Sequence, residues 1–303
     1  MNSTYSEKQV YRYLAVLLCV ACVVSVVAIA EIPAGQRVTA PFQGEHGEPN
    51  TLASYLLFVM MLVVGMIVSA DRRRLLFGGV SALMMVAFVY TLSRSAYLAL
   101  VPALYVMLGV ARKRLLILAL TGLVLLGAAA PSLILPEAAL QRVQSTFMER
   151  PSDSQAGLPD RLDLSTQARL SGAAQALGAF VERPILGWGV TGWRFIDSQY
   201  LKTLVETGMV GSVLFLYLIC MVFLVGWRAA VYFRERNRVL FGLSAGFLGG
   251  TLGLLVCSVG TNVFIIVRIM EPFWLVCALL VVAPRLARLQ DSPVPAVPGG
   301  VPA

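Results

Sequence analysis

Between positions 136 and 211 the chain gathers charged residues, turn-forming glycines and tryptophans that are scarce elsewhere in it. The segment holds Asp163-Leu164-Ser165-Thr166-Gln167-Ala168-Arg169, then Arg183-Pro184-Ile185-Leu186-Gly187-Trp188-Gly189. It closes with Asp197-Ser198-Gln199-Tyr200-Leu201, Glu206-Thr207-Gly208 and Gly211. Two further arginines stand apart from it. Arg37 lies in an earlier polar loop, and Arg94 sits between Ser93 and Ser95 where two apolar runs almost touch. A lone arginine at such a corner can simply snorkel to an interface. Serine hydroxyls on both sides, and the cost of an ionisable group at membrane depth, favour instead a guanidinium that faces inward and holds an anion. His46 is the only histidine, set among glycines and acids, and reads as solvated; one histidine makes a metal site improbable.

The elements that must position these groups are apolar. The 303 residues are 58% hydrophobic and 13% charged, with a mean hydropathy of +0.79, a composition outside the range of soluble globular domains. A bilayer helix needs about 20 mostly apolar residues. Candidate runs fall at 13–30, 51–70, 75–92, 96–110, 115–135, 209–226, 239–259 and 267–283. The expected fold class is therefore all-α: a polytopic membrane bundle of about eight helices with one long, partly helical outward loop over 136–208.

The net charge of +8 is a topology signal. Basic residues cluster between alternate runs, at Arg72-Arg73-Arg74, Arg112-Lys113-Arg114, Arg228 to Arg238, and Arg285 with Arg288, and Lys8 and Arg12 precede the first. Short loops rich in Lys and Arg stay cytoplasmic, so both termini are expected inside, with 31–50, the Ser93-Arg94-Ser95 corner, 136–208 and the turn near Asn262 outside. No nucleic-acid partner is implied. The five cysteines lie within apolar runs, where they pack as small apolar residues, and the outer loops offer none for a disulfide framework.

The first run also has the form of a signal peptide, ending in Ala28-Ile29-Ala30, but its length favours a retained anchor over 1–30. Pro49-Asn50 ahead of an apolar run starts a helix with Asn50 or Thr51 as cap. Helices are expected over 138–147 and 166–181, with a flexible piece at 148–160, and Pro184 followed by Gly187-Trp188-Gly189 makes an irregular turn. A further helix over 197–206 leads into the sixth run. It puts Asp197, Leu201 and Leu204 on one face and pairs Lys202 with Glu206 in the weaker i,i+4 orientation. Gly242, Gly246, Gly249, Gly250 and Gly253 let one membrane helix approach its neighbours closely. Arg268 and Glu271 can pair locally, 227–290 holds a C-terminal pair of spans, and 291–303 reads as a disordered tail.

Taken together, the polar motifs resemble the O-antigen ligase and polymerase family of bacterial envelope glycosyltransferases. Arg37…Phe42…Pro49-Asn50-Thr51-Leu52-Ala53 is similar to that family's R-x-x-G-x-F…P-N-x-x-A pattern, with Ala40 where glycine is usual. Thr91-Leu92-Ser93-Arg94-Ser95 resembles its S-R-G corner, with Ser95 for the glycine. Arg169 with Pro184…Gly187-Trp188-Gly189 resembles its R…N-P-x-x-G-x-G loop, and Asp197 to Gly211 its (D/H)-N-x-Y-L…E-x-G-x-x-G close. The resemblance covers 37 to about 216, with one span before the first motif, as in a short member; the catalytic region would then be 31–226.

The resemblance implies a glycan carried on a polyprenyl diphosphate, transferred at the outer face of the bacterial inner membrane to a second glycan or glycolipid, for O-antigen or exopolysaccharide synthesis. It implies Arg37, Arg94 and Arg169 as ligands of the leaving diphosphate, since arginine's planar fork grips phosphate oxygens and stays charged. Asp197 is implied as general base or orienting acceptor for the incoming hydroxyl, with Glu206 as second choice. Aspartate at 197, where the ligase branch carries histidine, favours the polymerase branch. No cofactor or metal is implied, because arginines can replace the metal. Two other classes compete: a flippase for lipid-linked glycans, and a non-catalytic subunit among other polysaccharide assembly proteins. No internal repeat or mid-span acid supports transport.

Overall fold

A computed structural model of the chain describes residues 7–34, 37–41, 47–69, 74–110, 114–129 and 164–291. The expected helix at 138–147, the piece at 148–160, Phe42, His46 and the tail beyond 291 lie outside these residues. The described ones form nine α-helices and no strand: α1 (Glu7–Ala30), α2 (Pro49–Ser69), α3 (Arg74–Tyr90), α4 (Arg94–Val110), α5 (Arg114–Ala129), α6 (Leu164–Glu182), α7 (Gln199–Phe233), α8 (Arg238–Cys257) and α9 (Val267–Asp291). The protein is thus an all-α polytopic membrane bundle. Five helices, α1, α2, α7, α8 and α9, are long and apolar enough to cross a membrane, and α3 and α4 are shorter apolar helices.

The centre is α8 against α2 and α4. Its glycines are why. A Cβ on Gly246 would lie 2.4 Å from the Met61 carbonyl, one on Gly65 2.1 Å from the Gly242 carbonyl, and one on Gly249 2.8 Å from the Ala103 carbonyl. Backbones therefore touch directly, and dispersion contacts between them replace the hydrophobic drive that lipid cannot supply. Phe58, Phe247 and Phe273 fill the space beside this seam, with ring centroids 5.3–6.1 Å apart. All five glycines expected to pack are buried. Around this centre α1 contributes a narrower stripe of Val10, Leu14, Leu17, Ala21, Ser25 and Ala28, spaced three or four apart as a helix face requires. By contrast α7 leaves Val213, Leu214 and Tyr217 exposed, the surface lipid would cover.

The two ends of the bundle differ chemically. Tyr11 exchanges hydrogen bonds with Asn237 (3.0–3.4 Å), tying the start of α1 to the α7–α8 turn. Arg74, Arg114, Arg234, Arg236 and Arg238 belong to that end by the antiparallel run of the helices. The opposite end carries Arg37, the α3–α4 corner, α6, the segment before α7 and the α8–α9 turn.

The sixth apolar run and the polar helix before it are one element. α7 runs 35 residues through a break at Gly208 (φ 64°, ψ −164°). Here the Val205 and Glu206 carbonyls lose the Met209 and Val210 amides that a regular helix would supply. The 184–189 loop inserts into the gap. Trp188 and Gly189 N–H donate to Val205 and Glu206 carbonyls (2.9 Å each), and Met209 and Val210 N–H donate to Pro184 and Ile185 carbonyls (2.8 and 3.3 Å). Two lost helical bonds become four. The approach is so close that a Cβ on Gly208 would sit 2.2 Å from the Ile185 carbonyl, and one on Gly187 2.5 Å from the Val205 carbonyl.

A second, smaller core seals this layer. Ala176, Ala179, Ile196 and Val205 are buried, with Phe180, Trp188, Trp193 and Leu201 packed on them. Trp188 Nε1 donates to the Ala179 carbonyl (2.8 Å), and the Arg183 guanidinium lies 4.3 Å over its ring. This anchors α6, close to its expected bounds, to α7.

Candidate active-site cleft

Arg37 fastens the first loop to the α3–α4 corner. Its Nε donates to the Thr91 carbonyl (2.9 Å), and its Nη2 to Asn50 Oδ1 (3.2 Å) and the Leu92 carbonyl (3.4 Å). Leu92 is in the left-handed region (φ 52°), a conformation that strains a branched side chain. The guanidinium holds the carbonyls on both sides of that strained turn. Ser93 Oγ donates to the same Asn50 Oδ1 (2.9 Å) and lies 3.3 Å from Ser95 Oγ. Arg94 then opens α4. Asn50 is thus a junction, not a cap: α2 begins at Pro49, and Glu48 takes the capping place, its carboxylate accepting from Thr51 Oγ1 (3.1 Å).

The segment before α7 docks on the α8–α9 turn. Gln199 N–H donates to the Ser258 carbonyl (3.0 Å), Gln199 Oε1 accepts from Phe264 N–H (3.1 Å), and Tyr200 Oη donates to the Leu255 carbonyl (2.7 Å). Asn262 Nδ2 donates to the Ile196 carbonyl (2.5 Å). Asp197 therefore precedes the helix, with Ser198 at the N-cap position. The expected shared face with Leu201 and Leu204 does not form, because the chain is extended at Ser198.

What these contacts build is a cleft of about 320 Å³, lined by Glu48, Thr51, Phe195, Asp197, Thr261, Asn262, Ile265 and Ile266. Asp197 is exposed on it and has no partner among the described residues. Arg169, on α6, is exposed and makes no hydrogen bond or ion pair among the described residues; its guanidinium lies against Gly260, where a Cβ would be 3.4 Å from Nη1. Gly260 immediately precedes cleft-lining Thr261. Arg37 and Ser93 reach the cleft through Asn50, the neighbour of Thr51.

Glu206 is elsewhere. It is 7% exposed, pairs with Lys202 as the spacing predicts, and accepts from Thr191 N–H (3.1 Å). Thr191 is itself left-handed (φ 61°). The carboxylate thus fixes the inserted loop and does not line the cleft. Arg268 likewise has a structural contact: its Nη1 donates to the Pro41 carbonyl (3.3 Å).

Of the residues expected at the site, Asp197 lines the cleft; Arg169 lies against Gly260, and Arg37 bonds Asn50, each one residue from the lining. Sequence reasoning missed Phe195, Thr261 and Asn262. The available signal was small: two polar residues in a gap between apolar runs, where a turn alone would explain them.

Residues 79–216 match the model of a protein family described as O-Antigen ligase. No curated protein matches the chain. The match spans the α3–α4 corner, Arg169, the inserted loop, Asp197 and the Gly208 break, and over this part the chain is similar to the O-antigen ligase family.

Proposed function

We propose that this membrane protein, similar over residues 79–216 to the O-antigen ligase family, is a glycosyltransferase that polymerises glycan repeat units carried on a polyprenyl diphosphate, at the outer face of the inner membrane. The observation that carries the reading is the cleft: it holds an exposed carboxylate, Asp197, and the guanidinium of Arg169, without a hydrogen bond or ion pair among the described residues, lies against Gly260 next to cleft-lining Thr261. An acceptor hydroxyl oxygen attacks the anomeric carbon of the donor sugar. The bond from that carbon to the diphosphate oxygen breaks, the electron pair leaves with the polyprenyl diphosphate, and the hydroxyl proton passes to Asp197.

Negative charge grows on the leaving group, and fixed positive charge stabilises it where it develops. Arg169 and Arg94 take that role, through bidentate contacts to phosphate oxygens. Arg37 orients the corner from which Arg94 projects, and Glu206 orients the loop beside Asp197. A carboxylate at 197, where the resemblance expects histidine in ligases, favours joining of repeat units over transfer to a lipid core.

The test is deletion of the gene, followed by complementation with wild type, Arg94→Ala or Asp197→Ala at equal membrane levels. The expected result is long surface glycan with wild type and single repeat units with both variants. Normal glycan length with both variants overturns the assignment, and loss of all lipid-linked intermediate at the outer face indicates a flippase.

A further inference from the structure

Two buried polar atoms of cleft-lining residues have no hydrogen-bond partner among the described residues. Thr261 and Asn262 are 5% and 4% exposed, and Thr261 Oγ1 and Asn262 Oδ1 are buried without a hydrogen bond. A buried polar group left unsatisfied costs about 1–3 kcal/mol, so adjacent ones in a single turn call for a reason. The orientation of Asn262 is fixed by chemistry: a backbone carbonyl only accepts, so the atom facing Ile196 is Nδ2, and the orphan is an acceptor. The Thr261 hydroxyl can donate or accept. Beside them lie the ring of Phe195, 72% exposed, and the side chain of Ile265, 51% exposed. The ionisable residues lining the cleft are both acidic, Glu48 and Asp197.

We propose that Thr261 and Asn262, with Phe195, form a subsite for an uncharged sugar ring, that of the acceptor glycan. A pyranose offers what this lining lacks: a hydroxyl that donates to Asn262 Oδ1 while accepting from Thr261 Oγ1, and a C–H face that packs on an aromatic ring. The volume matches the small end of ligand pockets. Two lining carboxylates repel a diphosphate, so the carrier's charged group sits outside this cleft, toward Arg169. The acceptor, whose hydroxyl must reach Asp197, sits within it. Thr261 and Asn262 also lie beyond residues 79–216, so sugar selection falls to a turn outside the family-matched segment. The assignment to the acceptor rests on the proposed transfer reaction; sugar binding by this turn does not, and the test separates the two.

The test is saturation-transfer NMR on the full chain in detergent, with glucose, galactose, rhamnose and N-acetylglucosamine as probes. Wild type is expected to give signal with at least one sugar, Thr261→Ser to retain it, and Thr261→Val and Phe195→Ala to reduce it about tenfold, the loss of roughly one hydrogen bond or stacking contact. Thr261→Val removes a hydroxyl that has no hydrogen-bond partner among the described residues, so its melting temperature should equal or exceed that of wild type. Signal from none of the sugars, or equal signal from wild type, Thr261→Val and Phe195→Ala, overturns the subsite. Undecaprenyl diphosphate added in excess should leave the signal in place; displacement would put the carrier in this cleft and overturn the acceptor assignment. Sugar binding that survives alongside unchanged surface glycan in the deletion strain would count against the transfer reaction alone.

Discussion

Arg37 and Asp197 separate two kinds of polar residue that look alike in a sequence. Arg37 satisfies two carbonyls at a strained corner and an asparagine junction. Arg37→Ala would take the guanidinium from the Thr91 and Leu92 carbonyls, while Asn50 Oδ1 keeps its bond from Ser93 Oγ, and we expect a loss of about 2–3 kcal/mol, read as a lower melting temperature in detergent. Arg37→Lys should recover little, since a point ammonium cannot span three acceptors in a fork. Asp197 has no such duty. Asp197→Asn should leave the melting temperature unchanged and reduce glycan transfer by roughly 100-fold or more, the usual contribution of a general base. Equal activity of Asp197→Asn and wild type at matched protein levels would remove Asp197 from the chemistry. The sequence placed Arg37 in a polar loop and Asp197 at the start of a helix but could not distinguish these roles, because the partners of Arg37 lie 13 to 55 residues away.

For the elements, the helices followed from apolar run length, and the Lys202–Glu206 pair followed from helical spacing. The break in α7 did not. Glycine at 208 reads as a mild helix weakness, and only the partner loop shows that φ 64° is required there. Gly208→Ala combines left-handed strain with a Cβ 2.2 Å from a backbone carbonyl. It should cost more than about 2 kcal/mol and lower the yield of folded protein in size-exclusion chromatography. Glu206 offers a sharper contrast. Glu206→Gln keeps an acceptor for Thr191 N–H and should retain most transfer activity, at a stability cost near 1 kcal/mol. Glu206→Leu orphans that N–H and Lys202 and should lose both. Inactive but stable Glu206→Gln would instead mark Glu206 as the base.

At the scale of the whole molecule, the glycines of α8 were readable as packing, since small residues three or four apart have few other uses in an apolar run. Which helices they meet was not readable: Gly65 on α2 and Ala103 on α4 carry no matching pattern. Gly246→Val would drive methyl groups into the Met61 carbonyl, 2.4 Å from the Cβ position. We expect it to separate α8 from α2, abolish the melting transition and remove the protein from the membrane fraction. The cleft is likewise a property of the assembled bundle. Its lining comes from the start of α2, the segment before α7 and the α8–α9 turn, three places spread over more than two hundred residues.

The four bonds exchanged at Gly208 also set how this region breathes. The amides of Trp188, Gly189, Met209 and Val210 belong to two separate stretches of chain, yet each depends on the other stretch for its acceptor. Freeing any one of them requires the loop to withdraw, which frees all four. In deuterium exchange these amides should therefore open as one cooperative unit, with a common opening free energy, while the loop tip beyond them exchanges sooner. Lys202 and Thr191, joined through Glu206, sit on that unit. A ligand seated beside Asp197 would then slow the exchange of residues it never touches.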